Sequence, residues 1–358
     1  MLSSHRISDQ ALNLRAGELV EIRSEQEILA TLDEDGANGG LPFMPEMLAF
    51  CGRRFRVYKR AHKSCDTVHK TGGIRMANAV HLVDARCDGS AHGGCEAGCL
   101  LFWKEAWLRR VRESEPAKVQ TVWSKMACPE LLRKSAVHPA RVPTQETIRY
   151  RCQATELPRA TASLPWWKIG QYVEDVTSGN VGMRQLARGA GYSVVRQLAH
   201  IGIGYRVLVA FYNWFHRRRG ATTFPFKSGT LDKTPAGEPL NLVPGEWVRV
   251  KSVDQIMGTL DKRNRNRGLH FDPEMTLFCG GTYQVLKRVT HIIDERSGEM
   301  LTFGNSCIML DGVYCRGETT EGRLFCPRAI YAYWREIWLE QVPAPSFPLS
   351  GSQKSATR

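Results

Sequence analysis

The sequence predicts an α+β protein of two homologous β-rich units, each closed by an aromatic helix and separated by a mainly helical insert. Three observations carry that expectation. Residues 17–60 and 245–288 align without a gap at a constant offset of 228, with 21 identities in 44 positions, among them Pro-Glu-Met, the Phe-Cys-Gly at 50–52 and 278–280, and the closing Lys-Arg. The match resumes at an offset of 231, where 102–111 pairs with 333–342 and Trp103, Glu105, Trp107, Leu108 and Val111 all recur. Inside each copy the apolar residues mostly alternate with polar ones, the period of strands, while much of the region between the copies carries helical spacing. The organisation expected is an arm at 1–16, a first repeat unit at 17–112, an insert and Pro-rich linker at 113–240, a second repeat unit at 241–343 and a disordered tail at 344–358.

Within a unit, 18–23 and 246–251 alternate behind a glycine and read as an entry strand with one buried face. Ser24 then stands as an N-cap before Glu25–Leu32, where Ile28, Leu29 and Leu32 have helical spacing. The stretch 33–40 is rich in turn residues, and a second strand is expected at 55–60 behind Cys51 and Gly52. Further strands are expected at 81–86 and 307–314. The opening Gly-Glu-x-Val-x-Ile/Val-Arg/Lys resembles the first strand of SH3-like barrels of the KOW type, over about eight residues per copy, and implies a small curved antiparallel sheet. Between the copies, 184–193 (RQLARGAGYS) resembles the first helix and turn of a helix-turn-helix. Gly202 and Gly204 would interrupt a second helix, so a purely structural helical hairpin is the stronger reading. Four prolines between 225 and 244 mark a linker.

The length of 358 residues allows about two domains, and 42% apolar with 24% charged residues is ordinary globular composition, which excludes wholesale disorder and fibrous repeats. A net charge of +13 directs attention to anionic partners: nucleic acid, an acidic lipid surface or a phosphorylated substrate. The N-terminus lacks the apolar core of a secretory signal, and the longest apolar region, 189–215, is interrupted by Arg196, His200, Arg206 and Asn213. The expectation is a cytoplasmic protein with no membrane span, in which clustered thiols bind metal or lie buried rather than form disulfides.

Eleven cysteines are present, and the densest cluster is Cys87, His92, Cys95 and Cys99. Thiolate and imidazole are ligands that zinc, copper and iron-sulfur clusters favour, and small residues between Cys87 and Cys95 let the backbone wrap a single ion. Cys95 and Cys99 are expected one turn apart at the start of the closing helix, and Cys65 is a rival fourth ligand. The string Cys87-Asp-Gly-Ser-Ala-His92 resembles the Cys-Asp-Gly-Ser-His string of CDGSH iron-sulfur proteins with one alanine inserted, which keeps an iron-sulfur cluster as the alternative to zinc. In the second copy, Cys279, Cys307, Cys315 and Cys326 form a looser candidate set. Cys51 and Cys279 read as core residues, and Cys128 and Cys152, lacking local companions, as structural ones.

The tryptophans at 103, 107, 334 and 338 read as a core-facing stripe. Basic residues Arg53, Arg54, Lys59, Arg60, Arg217, Arg218, Arg219, Lys262, Arg263, Arg265 and Arg267 line a phosphate track or, equally, a solvated face. No Walker A loop, nucleophile elbow, His-Glu-x-x-His or dinucleotide fingerprint occurs. The function expected is therefore a metal-stabilised duplicated module that binds nucleic acid or another polyanion. The alternatives are a metalloenzyme or redox component in which Cys65 or His69 acts beside the metal, and a scaffold for protein partners.

Overall fold

The computed structural model describes residues 11–115, 148–191, 228–318 and 324–345, together with a few positions at 132–137 and 209–214. It is strand-rich with short helices, as an α+β chain should be. Two compact units are present: Met1–Val181 with His291–Thr302 and Phe325–Ala329, and Gly182–Thr290 with Phe303–Leu324 and Ile330–Arg358. The consecutive boundaries expected from the sequence thus give way to interleaved ones, because two segments of the second repeat belong to the first unit.

The first unit is built on strands β1 (Leu19–Ile22), β4 (Arg54–Arg60), β7 (Ala79–Arg86), β8 (Leu100–Lys104) and β9 (Leu108–Arg110), in the order β8-β7-β4-β1-β9 with every pairing antiparallel. A small hairpin, β2 (Ala37–Asn38) and β3 (Leu41–Pro42), lies between β1 and β4 in sequence. A second sheet joins β5 (Lys63–Cys65), β6 (Gly73–Met76) and β10 (Thr161–Leu164) in the order β10-β6-β5. The insert expected to be mainly helical therefore supplies a strand to this sheet as well as the helices Leu157–Ala160 and Gly170–Thr177. Residues 183–191 are helical, while the remainder of the helix-turn-helix-like stretch lies outside the described residues, as do Cys128, Arg217, Arg218, Arg219 and the tail beyond 345.

The second unit holds β11 (Trp247–Val250), β16 (Tyr331–Trp334), β17 (Leu339–Gln341) and the greater part of β14 (Thr282–Ile293) and β15 (Met300–Tyr314), in the order β16-β15-β14-β11-β17, while 291–293 and 300–302 count with the first unit. Its small hairpin is β12 (Arg265–Asn266) with β13 (Leu269–His270). In both units the first strand thus lies between the second and the last, and the same local chemistry sets the elements. Ser24 and Ser252 each cap a short helix, Glu25–Leu29 and Val253–Met257, in a reciprocal capping box with the residue three positions on.

One expected element is replaced. The closing aromatic helix is a strand, a single 3-10 turn (Glu105–Trp107 or Glu336–Trp338) and another strand. A four-residue spacing of tryptophans fits a helix face, but a strand followed by one tight turn also returns both indoles to the same core, and aromatic side chains favour the pleated surface. Trp103, Trp107, Trp334 and Trp338 are all fully buried. Trp107 donates Nε1–H to Thr31 Oγ1 (3.0 Å) and packs edge-on against Phe43; Trp338 does the same with Thr259 (2.9 Å) and Phe271.

The likeness of the copies also reaches further back than residue 17. Leu12-Asn-Leu14 and Leu240-Asn-Leu242 share sequence, and Asn13 and Asn241 both sit at φ 50°. The carboxylate of Glu105 accepts the backbone N–H groups of Asn13 and Leu14 at 3.0 Å each, and Glu336 accepts those of Leu240 (3.0 Å) and Leu242 (3.4 Å). An arginine braces each acid, Arg60 in one unit and Arg288 in the other. Part of the expected arm is therefore the first element of the repeat.

Candidate functional site: the thiol pocket of the first unit

Strand β7 ends at Arg86, and the loop 87–99 that follows closes on itself. Cys87 N–H donates to Cys99 O (2.9 Å), His92 and Gly94 N–H both donate to Gly89 O (2.9 and 3.0 Å), and Cys95 N–H donates to His92 O (3.2 Å). Gly89 is at φ +75°, and a Cβ there would meet Cys95 O at 2.1 Å, so this turn requires glycine. The small residues do allow a tight wrap. What the wrap encloses is a pocket of about 40 Å³ lined by Cys87, Cys95, Cys99 and Cys152 among others. That volume has room for a water molecule or a single ion.

His92 does not offer a nitrogen to this pocket. Its ring is fully buried, Nδ1 is hydrogen-bonded to Glu46 Oε1 and Nε2 to Arg151 O (3.0 Å), while Glu46 also accepts the N–H of Ala91 (3.0 Å). The histidine ties the loop to the 3-10 turn Pro45–Phe50 and to the segment before the helix Leu157–Ala160. The CDGSH-like string thus ends in an imidazole held by other groups. Cys65, the rival ligand, lies at the end of β5, where its N–H donates to Cys326 Sγ (3.2 Å), and His69 is exposed in the turn after Asp66. Neither lines the pocket.

The thiol missing from the sequence-derived set is Cys152. It stands 53 positions beyond Cys99, so nothing local marks it, and only the packing of the segment before Leu157–Ala160 brings it to the loop. Glu46 had a signal: it is the acid of the repeated Pro-Glu-Met, and an acid kept between copies at a buried position points to a fixed partner. Arg328 also lines the pocket, buried and bonded to Glu295 (2.7 Å) and Thr67 (2.7 Å). Burial opposes its charge, and its neighbours, Glu295 foremost, more than restore it.

Burial pushes the Cys99 thiol up to about 12, with Arg328 pulling the other way, and Cys152 up to about 11; Cys87 is raised by burial and by the charge of Glu46. Cys95 Sγ accepts the N–H of Ile293 (3.3 Å). Without a cation Cys87, Cys99 and Cys152 are neutral thiols at pH 7. Among the described residues, no group of three or more His, Cys, Asp or Glu side chains is arranged to hold a metal ion. Thiolate is a donor that suits a soft cation such as zinc, and both ring nitrogens of His92 already have partners.

Among the described residues the second candidate set forms no group arranged to hold a metal ion. Cys326 belongs to the first unit beside Cys65, whereas Cys307 lies buried in β15 with Arg335 donating to its sulfur (3.6 Å), and Cys279 closes a 3-10 turn with its thiol 3.8 Å from Met275 O. Cys51 does the same with Met47 O (3.9 Å), so this pair is a repeated structural contact. Cys315 follows β15, and its N–H donates to Ile330 O (2.8 Å).

The cations divide sharply. Arg54 pairs with Glu21 (3.2 Å), Arg60 with Glu105 and Glu174, Arg53 lies over Phe50 and Phe55, and Lys59 lies over Tyr58. By contrast Lys262, Arg263, Arg265 and Arg267 are exposed on and beside the β12–β13 hairpin, where Lys262 reaches only the exposed Asp232. No helix among the described residues is long and apolar enough to cross a membrane. In comparison with known proteins, the chain matches no family model, no curated protein and no solved structure.

Proposed function

We propose that the chain is a binding module of two SH3-like units that engages nucleic acid or another polyanion, with the first unit braced by a soft metal ion, zinc foremost, held by Cys87, Cys95, Cys99 and Cys152. The single observation that carries the metal half is that four thiols, three from the loop 87–99 and Cys152 from a distant segment, line one small pocket. Packing alone has no reason to gather cysteines there, since apolar side chains of the same size would fill the space without the reactivity. A first strand flanked by the second and the last, with a 3-10 turn just before the last, supports the SH3-like reading of each unit. The polyanion half rests on the charge of +13 and on the exposed cations of 262–267.

Metal analysis of purified protein tests it. We expect about one zinc per chain in the wild type, loss of that zinc in Cys95→Ala/Cys99→Ala and in Cys152→Ser, and its retention in His92→Gln. Chelation should lower the melting temperature of the wild type, because a site absent from the unfolded chain contributes its binding energy to folding. A metal-free wild type whose melting is indifferent to chelator would sink the metal half and leave the fold and its charge.

A further inference from the structure

The two small hairpins are copies of one device with opposite charge. Residues 33–40 (Asp-Glu-Asp-Gly-Ala-Asn-Gly-Gly) carry three acids and no base, and the equivalent 261–268 (Asp-Lys-Arg-Asn-Arg-Asn-Arg-Gly) carry one acid and four bases. The backbone frame is the same in both. Asp33 Oδ1 accepts the N–H of Asp35 (3.1 Å) and Ala37 (2.9 Å), and Asp261 Oδ1 accepts those of Arg263 (2.8 Å) and Arg265 (2.9 Å). Asn38 and Asn266 each donate Nδ2–H to a threonine carbonyl at 3.1 Å. The charge of the second hairpin is therefore not needed to build it.

One position makes the point more strongly. Each hairpin turns through two residues at positive φ, Gly39–Gly40 (55° and 76°) in the first unit and Arg267–Gly268 (46° and 87°) in the second. This is the geometry of a type I′ turn, which favours Gly, Asn and Asp. An arginine at its first position bears a strain that the sister copy avoids with glycine, and strain of this kind is held at functional positions. The hairpin that bears it is rigidly seated. Buried Arg335 donates to the carbonyls of Asn266 (3.3 Å) and Arg267 (2.8 Å), Asn264 Oδ1 accepts Gly229 N–H (2.8 Å), and Arg267 N–H donates to Thr234 Oγ1 (3.0 Å). The guanidinium groups of 263, 265 and 267 are thus presented to solvent from a fixed backbone.

We propose that the β12–β13 hairpin is the nucleic-acid contact of this protein, with Arg267 at its apex entering a groove of a duplex and Lys262, Arg263 and Arg265 bonded to flanking phosphates. The proposal rests on the polyanion reading above and gives it a place. Three of the four bases are arginine, whose planar fork matches phosphate oxygens in pairs, and a two-stranded ribbon is narrow enough for a groove. A narrow minor groove concentrates negative potential and draws in arginine.

The test grafts the charge of the sister loop onto the full chain: Lys262→Glu, Arg263→Asp, Arg265→Ala and Arg267→Gly together, with Arg267→Gly alone beside it. The probe is a mixed-sequence DNA duplex of about two helical turns, titrated at several salt concentrations. We expect the wild type to bind with log affinity falling linearly in log salt. The graft should bind at least about tenfold more weakly at low salt, with a slope shallower by about three. Arg267→Gly should bind several-fold more weakly while melting no lower than the wild type, which separates lost contact from lost fold. Wild-type binding left unchanged by the graft would overturn the hairpin assignment and leave the polyanion reading standing on other cations. A wild type that ignores the duplex would overturn the hairpin assignment; hairpin-dependent binding to anionic lipid vesicles in its place would keep the polyanion reading and assign the loop to a membrane surface, and binding to neither would overturn both.

Discussion

Glu105 and Glu336 show how much one side chain can fix. Each is a carboxylate that receives two backbone N–H groups of the segment before the first strand and is braced by an arginine, so both of its oxygens are occupied where water is scarce. Charge-assisted bonds of this kind contribute roughly 1.5–3 kcal/mol. Glu105→Gln should therefore lower the unfolding free energy by about 2 kcal/mol in denaturant titration, with Glu336→Gln behaving alike; a change within about 0.5 kcal/mol would show that the arm is held by Leu14 and Leu242 instead. Arg267 works in the opposite direction. A left-handed L residue costs about 1 kcal/mol, so Arg267→Gly should raise the unfolding free energy by up to about that amount. His81 gives a pH dependence. It is fully buried with Nδ1 bonded to Leu101 O, and burial lowers its pKa from 6.5 to about 3. Between those values the unfolded chain binds a proton that the folded chain refuses, so stability falls as pH falls through this window, by about 1.4 kcal/mol per unit from this group alone. His81→Phe should flatten the decline in melting temperature between pH 7 and pH 5 relative to the wild type, and parallel curves would place the loss elsewhere.

At the scale of elements, the strands near 18–23, 55–60, 81–86, 246–251 and 307–314, the helix capped by Ser24 and the turns of 33–40 were legible because each has a local cause: alternation, a serine cap, glycine and asparagine at turns. The closing segment was not. A spacing of four between tryptophans is the same whether the chain coils or makes strand, 3-10 turn and strand, and only the pairing of Leu108–Arg110 with β1 decides between them. The misread element carried a consequence for the site. With strand in place of helix after Cys99, no helix N-terminus faces Cys95 and Cys99, and burial instead keeps the Cys99 thiol protonated. For the same reason the sequence found three of the four pocket thiols, those on one loop, and missed Cys152, which reaches them only through tertiary packing.

The whole molecule departs most from a linear reading. Segments 291–302 and 325–329 of the second repeat are part of the first unit, where Ile293 bonds Cys95, Glu295 bonds Arg328 and Thr67, and Cys326 receives the N–H of Cys65. A fragment of residues 1–240, which the repeat boundaries would recommend as an independent domain, should therefore leave the loop 87–99 open to limited proteolysis, while the full chain resists cleavage there. Equal resistance in the two would mean that these segments add little to the first unit.

The sequence by itself determined the 21 identities shared by 17–60 and 245–288, the entry strands and the Ser24 cap, the excess of positive charge and the run of thiols around 87–99, because each is a matter of residue identity and local spacing. Only the tertiary structure decided that both nitrogens of His92 are bonded to Glu46 and Arg151, that Cys152 joins the pocket lining, that Arg54 and Arg60 are paired with acids and that Arg263, Arg265 and Arg267 are exposed. Those outcomes depend on which distant groups share a hydrogen bond or a carboxylate once the chain is packed, and such pairings have no signature in local spacing.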